Sequence, residues 1–84
     1  MAKIIVVRLE PYPSDEPTGW AVGFNVTCNN GRTFYVDAPV SYDEAKTDEE
    51  AANKAYEKLK ESIDMRVKEL EKKSPLLGKE ISNG

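Results

Sequence analysis

TDEEAANKAYEKLKESIDMRVKELEKK, residues 47–73, is the stretch whose periodicity decides the fold. With Ala52 as origin and a step of about 100° per residue, Ala55, Tyr56, Leu59, Ile63, Val67 and Leu70 fall within about 60° of it. An apolar stripe held over about five turns marks an amphipathic helix. The opposite face carries Glu50, Lys54, Glu57, Lys58, Lys60, Glu61, Asp64, Lys68, Glu69 and Lys72. Glu50 with Lys54, Asp64 with Lys68, and Glu69 with Lys73 have the favourable acid-before-base order four residues apart. Thr47 followed by Glu50 reads as a capping box. Asp48, Glu49 and Glu50 sit at the positive end of the helix dipole, Lys72 and Lys73 at the negative end. Ser74-Pro75 stops the helix, because the residue before proline is pushed out of the α region. A second cap signal, Ser41 with Glu44, lies upstream and starts an extra turn or a short separate one.

The helix needs an apolar surface to cover, and the first forty residues supply strands. Lys3–Leu9, Lys-Ile-Ile-Val-Val-Arg-Leu, is dominated by β-branched residues. By strict alternation Ile4 and Val6 face one way and Ile5, Val7 and Leu9 the other. Both faces are apolar, so this strand is covered on both sides or offers a side to another chain. Residues 10–19 contain Pro11, Pro13 and Pro17 and read as an extended surface loop presenting Tyr12. Residues 20–28 alternate, with Trp20, Val22, Phe24, Val26 and Cys28 on one face.

Asn29-Asn30-Gly31 then turns the chain into a third strand, residues 32–37, and Pro39 ends it. A two-residue turn would oppose Val26 with Tyr35 and put Phe34 and Val36 on the polar face. A three-residue turn with Gly31 left-handed opposes Val26 with Phe34 and Phe24 with Val36. Only the second gathers the apolar set on one side. The expected fold is α+β: a three-stranded antiparallel sheet in meander order, strands about 3–9, 20–28 and 32–37, under one C-terminal helix. Trp20, Phe24, Phe34, Tyr56, Leu59 and Ile63 are the expected core, and residues 75–84 form a tail in which Leu76 and Leu77 can fold back.

Length and composition bound the function. Eighty-four residues make one small domain. A net charge of −3 disfavours nonspecific phosphate binding. No apolar run approaches a membrane span, and Met1–Val7 has one positive charge and too short an apolar run for a signal peptide. The single cysteine excludes an internal disulfide and suits a reducing cytoplasm. With no histidine, the usual neutral-pH base and the commonest zinc ligand are missing. Cys28, on the core side of its strand, reads as a small buried hydrophobe. No glycine-rich loop opens a helix, so no phosphate cradle or nucleotide cofactor is expected. Asp37, Asp43, Glu44, Asp48, Glu49 and Glu50 cluster at the sheet-to-helix corner, where paired carboxylates could hold a metal or do acid–base chemistry. The helix cap and dipole already account for Asp48, Glu49 and Glu50, so neither catalytic nor metal-binding residues are assigned.

Gly19-Trp20, Asn30-Gly31-Arg32-Thr33-Phe34 and Glu49-Glu50-Ala51 together resemble the AP2-type domains of plant transcription factors and phage integrase arms, over residues 19–59. The resemblance implies a sheet-plus-helix fold and DNA recognition by basic and polar side chains on the open sheet face. Here strands two and three offer that face Ala21, Gly23, Asn25, Thr27, Thr33, Tyr35 and Asp37, with no lysine or arginine. DNA affinity rests largely on phosphate neutralisation, so nucleic acid is the rival reading.

The preferred expectation is a non-enzymatic protein–protein interaction module, of adaptor or inhibitor type, with a homodimer in view. Small size and absent chemistry are compatible with an origin in a phage or other mobile element. A helix of about 26 residues is about 39 Å long, whereas strands of eight or nine residues reach about 30 Å. Val67 and Leu70 are therefore expected to overhang the sheet, with Met65 off the stripe. Ile5, Val7, Tyr12, Tyr35, Met65, Val67 and Leu70 are the candidate partner-binding residues. The turn register has its own test. Gly31→Val should lower stability by more than about 1 kcal/mol, because a β-branched residue resists positive φ. An unchanged melting curve would contradict the three-residue turn.

Overall fold

Alternation in the second and third strands sets the sheet. In a computed structural model, which describes residues 2–72, β1 (Lys3–Tyr12), β2 (Gly19–Thr27) and β3 (Thr33–Ser41) precede α1 (Asp48–Glu71). The strands form one antiparallel sheet in the order β1-β2-β3, a meander, and the chain is α+β with a β-β-β-α order. Val26 opposes Phe34 and Phe24 opposes Val36, as the three-residue turn requires. The Cys28 N–H donates to the Arg32 carbonyl at 2.7 Å and the Gly31 N–H to the Cys28 carbonyl at 3.0 Å. Gly31 has φ +89°, the left-handed conformation expected there.

Two strands run further than proline content implied. β1 continues through Pro11 to Tyr12, and β3 continues through Pro39 to Ser41. The strand order supplies the reason: β1 and β3 are the two edges, where a missing N–H can face outward without breaking a ladder. The loop between β1 and β2 shrinks accordingly, closed by a bond from the Thr18 N–H to the Tyr12 carbonyl at 3.1 Å. At the other end of β3, Ser41 and Glu44 form a single turn. Glu44 accepts from the Ser41 N–H at 2.9 Å, and the N–H groups of Glu44 and Ala45 both return to the Ser41 carbonyl.

Alternation fails once, in β1. Val6 pairs with Phe24 but Arg8 pairs with Gly23, so Val7 is an extra residue in a β-bulge. Beyond it the facing is inverted relative to strict alternation. Leu9 pairs with Val22 and joins Ile4 and Val6 on the helix side; Arg8 joins Ile5 on the open side. Without the bulge Arg8 would share a face with Ile4 and Val6, aiming a guanidinium at the apolar side, which burial penalises heavily.

Thr47 caps the helix, accepting from the Glu50 N–H at 3.2 Å. Glu50 reaches back to the Lys46 N–H at 3.1 Å, one residue earlier than a standard capping box. The core differs from the aromatic one expected. Its central cluster is Val22, Phe24, Ala38, Val40, Ala45, Ala51 and Ala55, with Ile63 and Val26 also buried. Of the six residues expected at its centre, Phe24 and Ile63 are buried, whereas Trp20, Phe34, Tyr56 and Leu59 are half-buried at the margin. Small side chains at 38, 51 and 55 let the helix approach β3 and β2 closely and displace the bulky rings outward. Tyr56 meets Phe24 edge-on at 6.4 Å, Trp20 meets Tyr42 edge-on at 4.7 Å, and Arg66 lies over Phe34 at 5.4 Å.

The helix end does not overhang. Val67 and Leu70 are half-buried, and the β2–β3 turn reaches over the last helical turn. There the Asn29 N–H donates to Glu71 Oε2 at 2.7 Å and Asn30 Nδ2 donates to the Leu70 carbonyl at 2.9 Å. Longer strands and a helix of 24 residues remove the length mismatch. The expectations for Lys73 and for the tail with Leu76 and Leu77 lie outside the described residues. Asn30→Ala removes the bond to the helix carbonyl and should cost about 0.5–1.5 kcal/mol in denaturant unfolding. An unchanged midpoint would mean that the turn does not tie down the helix.

Candidate functional site

Among the described residues, β1 is the strand left most exposed. Ile5, Val6, Val7 and Leu9 are exposed by 46%, 43%, 49% and 37%. β-Branched residues made this segment a strand, yet the helix packs chiefly on β3 and β2, and of β1 only Ile4 is drawn against the core. The gap between helix and β1 is an open groove lined by Ala2, Ile4, Tyr56, Ile63 and Val67, with Asp64, Lys68 and Glu71 at its rim. A hydrophobic strip rimmed by charge is the usual look of a contact surface.

The open face of the sheet is different in kind. The Tyr35 ring lies across Gly23, where a Cβ would overlap the phenol. Arg8 stands beside it, its Nε donating to Glu10 Oε1 at 2.6 Å and its Nη1 4.0 Å from Asp37 Oδ2. Glu10 foremost, and then Tyr35, raise the guanidinium pKa above its ordinary value. The arginine on this face is thus hydrogen-bonded to one carboxylate and flanked by a second. Next to this cluster Tyr12, Ala21 and Pro39 border a second shallow depression with Arg8 and Asp37.

The carboxylates of the sheet-to-helix corner are dispersed. Asp37 lies on the open face with Arg8. Glu50 bonds the Lys46 N–H. Glu44 receives Lys58 Nζ at 2.7 Å, while the same ammonium donates to the Pro39 carbonyl at 3.1 Å. Among the described residues no three of cysteine, aspartate and glutamate converge as a metal site, and no buried side-chain polar atom lacks a partner. Cys28 is a buried free thiol. No helix among these residues is long and apolar enough to cross a membrane.

The seven candidate partner-binding residues do not form one patch. Ile5, Tyr12 and Tyr35 are exposed on the open face; Val7 is the bulge residue; Val67 lines the groove on the helix side; Leu70 is half-buried beside the β2–β3 turn; Met65 is exposed on the helix by itself. Sequence reasoning missed Val6 and Leu9 as neighbours on the groove side. The available signal was Arg8, a charge on the apolar parity of β1. Comparison with protein-family models, with curated proteins and with solved structures returns no match.

The Lys58 hydrogen bond foremost, and the Ser41 N–H after it, hold the Glu44 carboxyl below its ordinary value of 4.5. A carboxyl depressed in the folded state adds stability that is complete above its unfolded pKa and is lost as pH falls through the lowered one. The melting temperature should therefore drop as the pH is taken below 4.5. Glu44→Gln should shrink that drop. An acid limb identical in the two proteins would show that the pair contributes nothing.

Proposed function

We propose that this chain is a small non-enzymatic protein–protein interaction module, of adaptor or inhibitor type, and that β1 is its docking strand. The observation that carries the reading is the exposure of four apolar residues, Ile5, Val6, Val7 and Leu9, along one sheet-edge strand, Ile5 on its open side and Val6 and Leu9 on its helix side. An edge strand offers a partner unpaired backbone groups together with side-chain pockets, which is how β-augmentation works. Burying several such side chains is worth about 1.5–3 kcal/mol each before the cost of association.

Nucleic-acid binding by the open face is the less favoured reading, because Arg8 is already held by Glu10 and Asp37. Ile5→Lys with Val7→Lys should keep the fold, since both side chains are exposed. Bait carrying this pair should lose whatever stoichiometric protein the unmodified bait retains, its own second copy included. Retention of the same partner by both baits would contradict the docking strand. Salt-dependent retention of DNA or RNA would favour the open face instead.

A further inference from the structure

We propose that the partner of β1 is a second copy of the same strand, joined antiparallel about a two-fold axis into a six-stranded sheet, with Lys3 opposite Glu10, Ile4 opposite Leu9 and Ile5 opposite Arg8 of the other copy. The proposal rests on the reading of β1 as the docking strand and adds the occupant and the register.

Backbone phase comes first. The Cys28 N–H donates to Arg32, so the even-numbered residues of β2 direct their backbone groups to β3 and the odd-numbered ones to β1. The β1 residues that face those odd positions, Lys3, Ile5, Arg8 and Glu10, spend their backbone groups inside the sheet. Ile4 and Leu9 therefore point theirs outward, on either side of the bulge. Two such residues set opposite each other across a two-fold form a fully hydrogen-bonded pair, and the symmetry makes two of these pairs.

Facing and charge select the same register. In an antiparallel pair, opposed residues lie on the same face of the sheet. Ile4 and Leu9 are both on the helix side, and Lys3, Ile5, Arg8 and Glu10 are all on the open side, because the Val7 bulge inverts the alternation between the halves of the strand. Without that bulge, Ile4 would oppose a residue of the wrong face. In this register Lys3 meets Glu10 in a non-hydrogen-bonded pair, where side chains approach most closely, and opposite charges lie at both ends of the strand. Sliding the copies so that Lys3 meets Tyr12 would put Pro11 opposite Ile4, where no N–H is available. Sliding them the other way sets Lys3 against Arg8, two like charges. Of these three registers only the first satisfies backbone, facing and charge together, and it extends the apolar strip beside the groove with Ile4, Val6 and Leu9 from both copies.

Light scattering at about 50 μM, a concentration at which a micromolar Kd populates a dimer, reads the outcome. The unmodified protein should scatter as twice 9.4 kDa. Lys3→Glu alone sets glutamate against glutamate, and Glu10→Lys alone sets lysine against lysine; each should shift the population towards monomer. An equimolar mixture of these two variants pairs opposite charges at both ends and should recover the dimer. Copies carrying Ile4→Cys and Leu9→Cys, mixed, should form an intermolecular disulfide faster than either alone. A monomeric unmodified protein, or a mixture no more dimeric than its components, overturns the proposal. A monomer that still captures another protein through Ile5 and Val7 leaves the docking strand standing and removes only the homodimer. A dimer that survives Ile5→Lys with Val7→Lys, which sets lysine against Arg8 of the other copy, removes both.

Discussion

One helix is too narrow for three strands. A helix with its side chains is about 10–12 Å across, and neighbouring strands are about 4.8 Å apart, so α1 can seat firmly on two of them. Small side chains decide which two. Ala51 and Ala55 on the helix and Ala38 on β3 permit close approach there, with Val22 and Val40 filling the seat. At its middle and at its last turn the helix is tied to the same side of the sheet: Lys58 grips Glu44 and the Pro39 carbonyl, and the β2–β3 turn binds the last helical turn through Asn29 and Asn30. β1 is what remains.

That remainder shapes the functional reading. Among the described residues, a strand of Ile, Val and Leu that the helix does not cover keeps its apolar side chains in water, at a cost that a covering partner would remove. The open face is unlike it, with Arg8 neutralised by Glu10 and Asp37 and with Tyr35 laid over Gly23. The acidic corner is also spoken for, since Glu44 and Glu50 complete a turn and a helix cap. Binding through β1 therefore draws on surface that no other element among the described residues covers.

Much of this was legible in the sequence, for reasons that can be named. The helix showed in a 3.6-residue repeat, and the β2–β3 register in the position of Gly31, because a one-residue slip would have turned Phe34 and Val36 to the wrong face. The strand ends were not legible, since Pro11 and Pro39 stop a strand only when it is interior, and edge position is a property of the whole sheet. The Val7 bulge was concealed by a run of interchangeable β-branched residues, with Arg8 as its single trace. Nor did the helix stripe reveal which side of it would be buried: Ala51 lies outside the stripe centred on Ala52, yet it is fully buried, because two alanines admit a closer approach than Tyr56 and Leu59.

The seating of the helix is accessible to methyl-resolved nuclear Overhauser measurements on the intact chain. The account predicts that the Ala51 and Ala55 methyls make their strongest inter-element contacts with Val22, Ala38 and Val40. Strongest contacts to Val6 and Leu9 instead would place the helix over β1, leave β3 as the bare edge, and contradict the account.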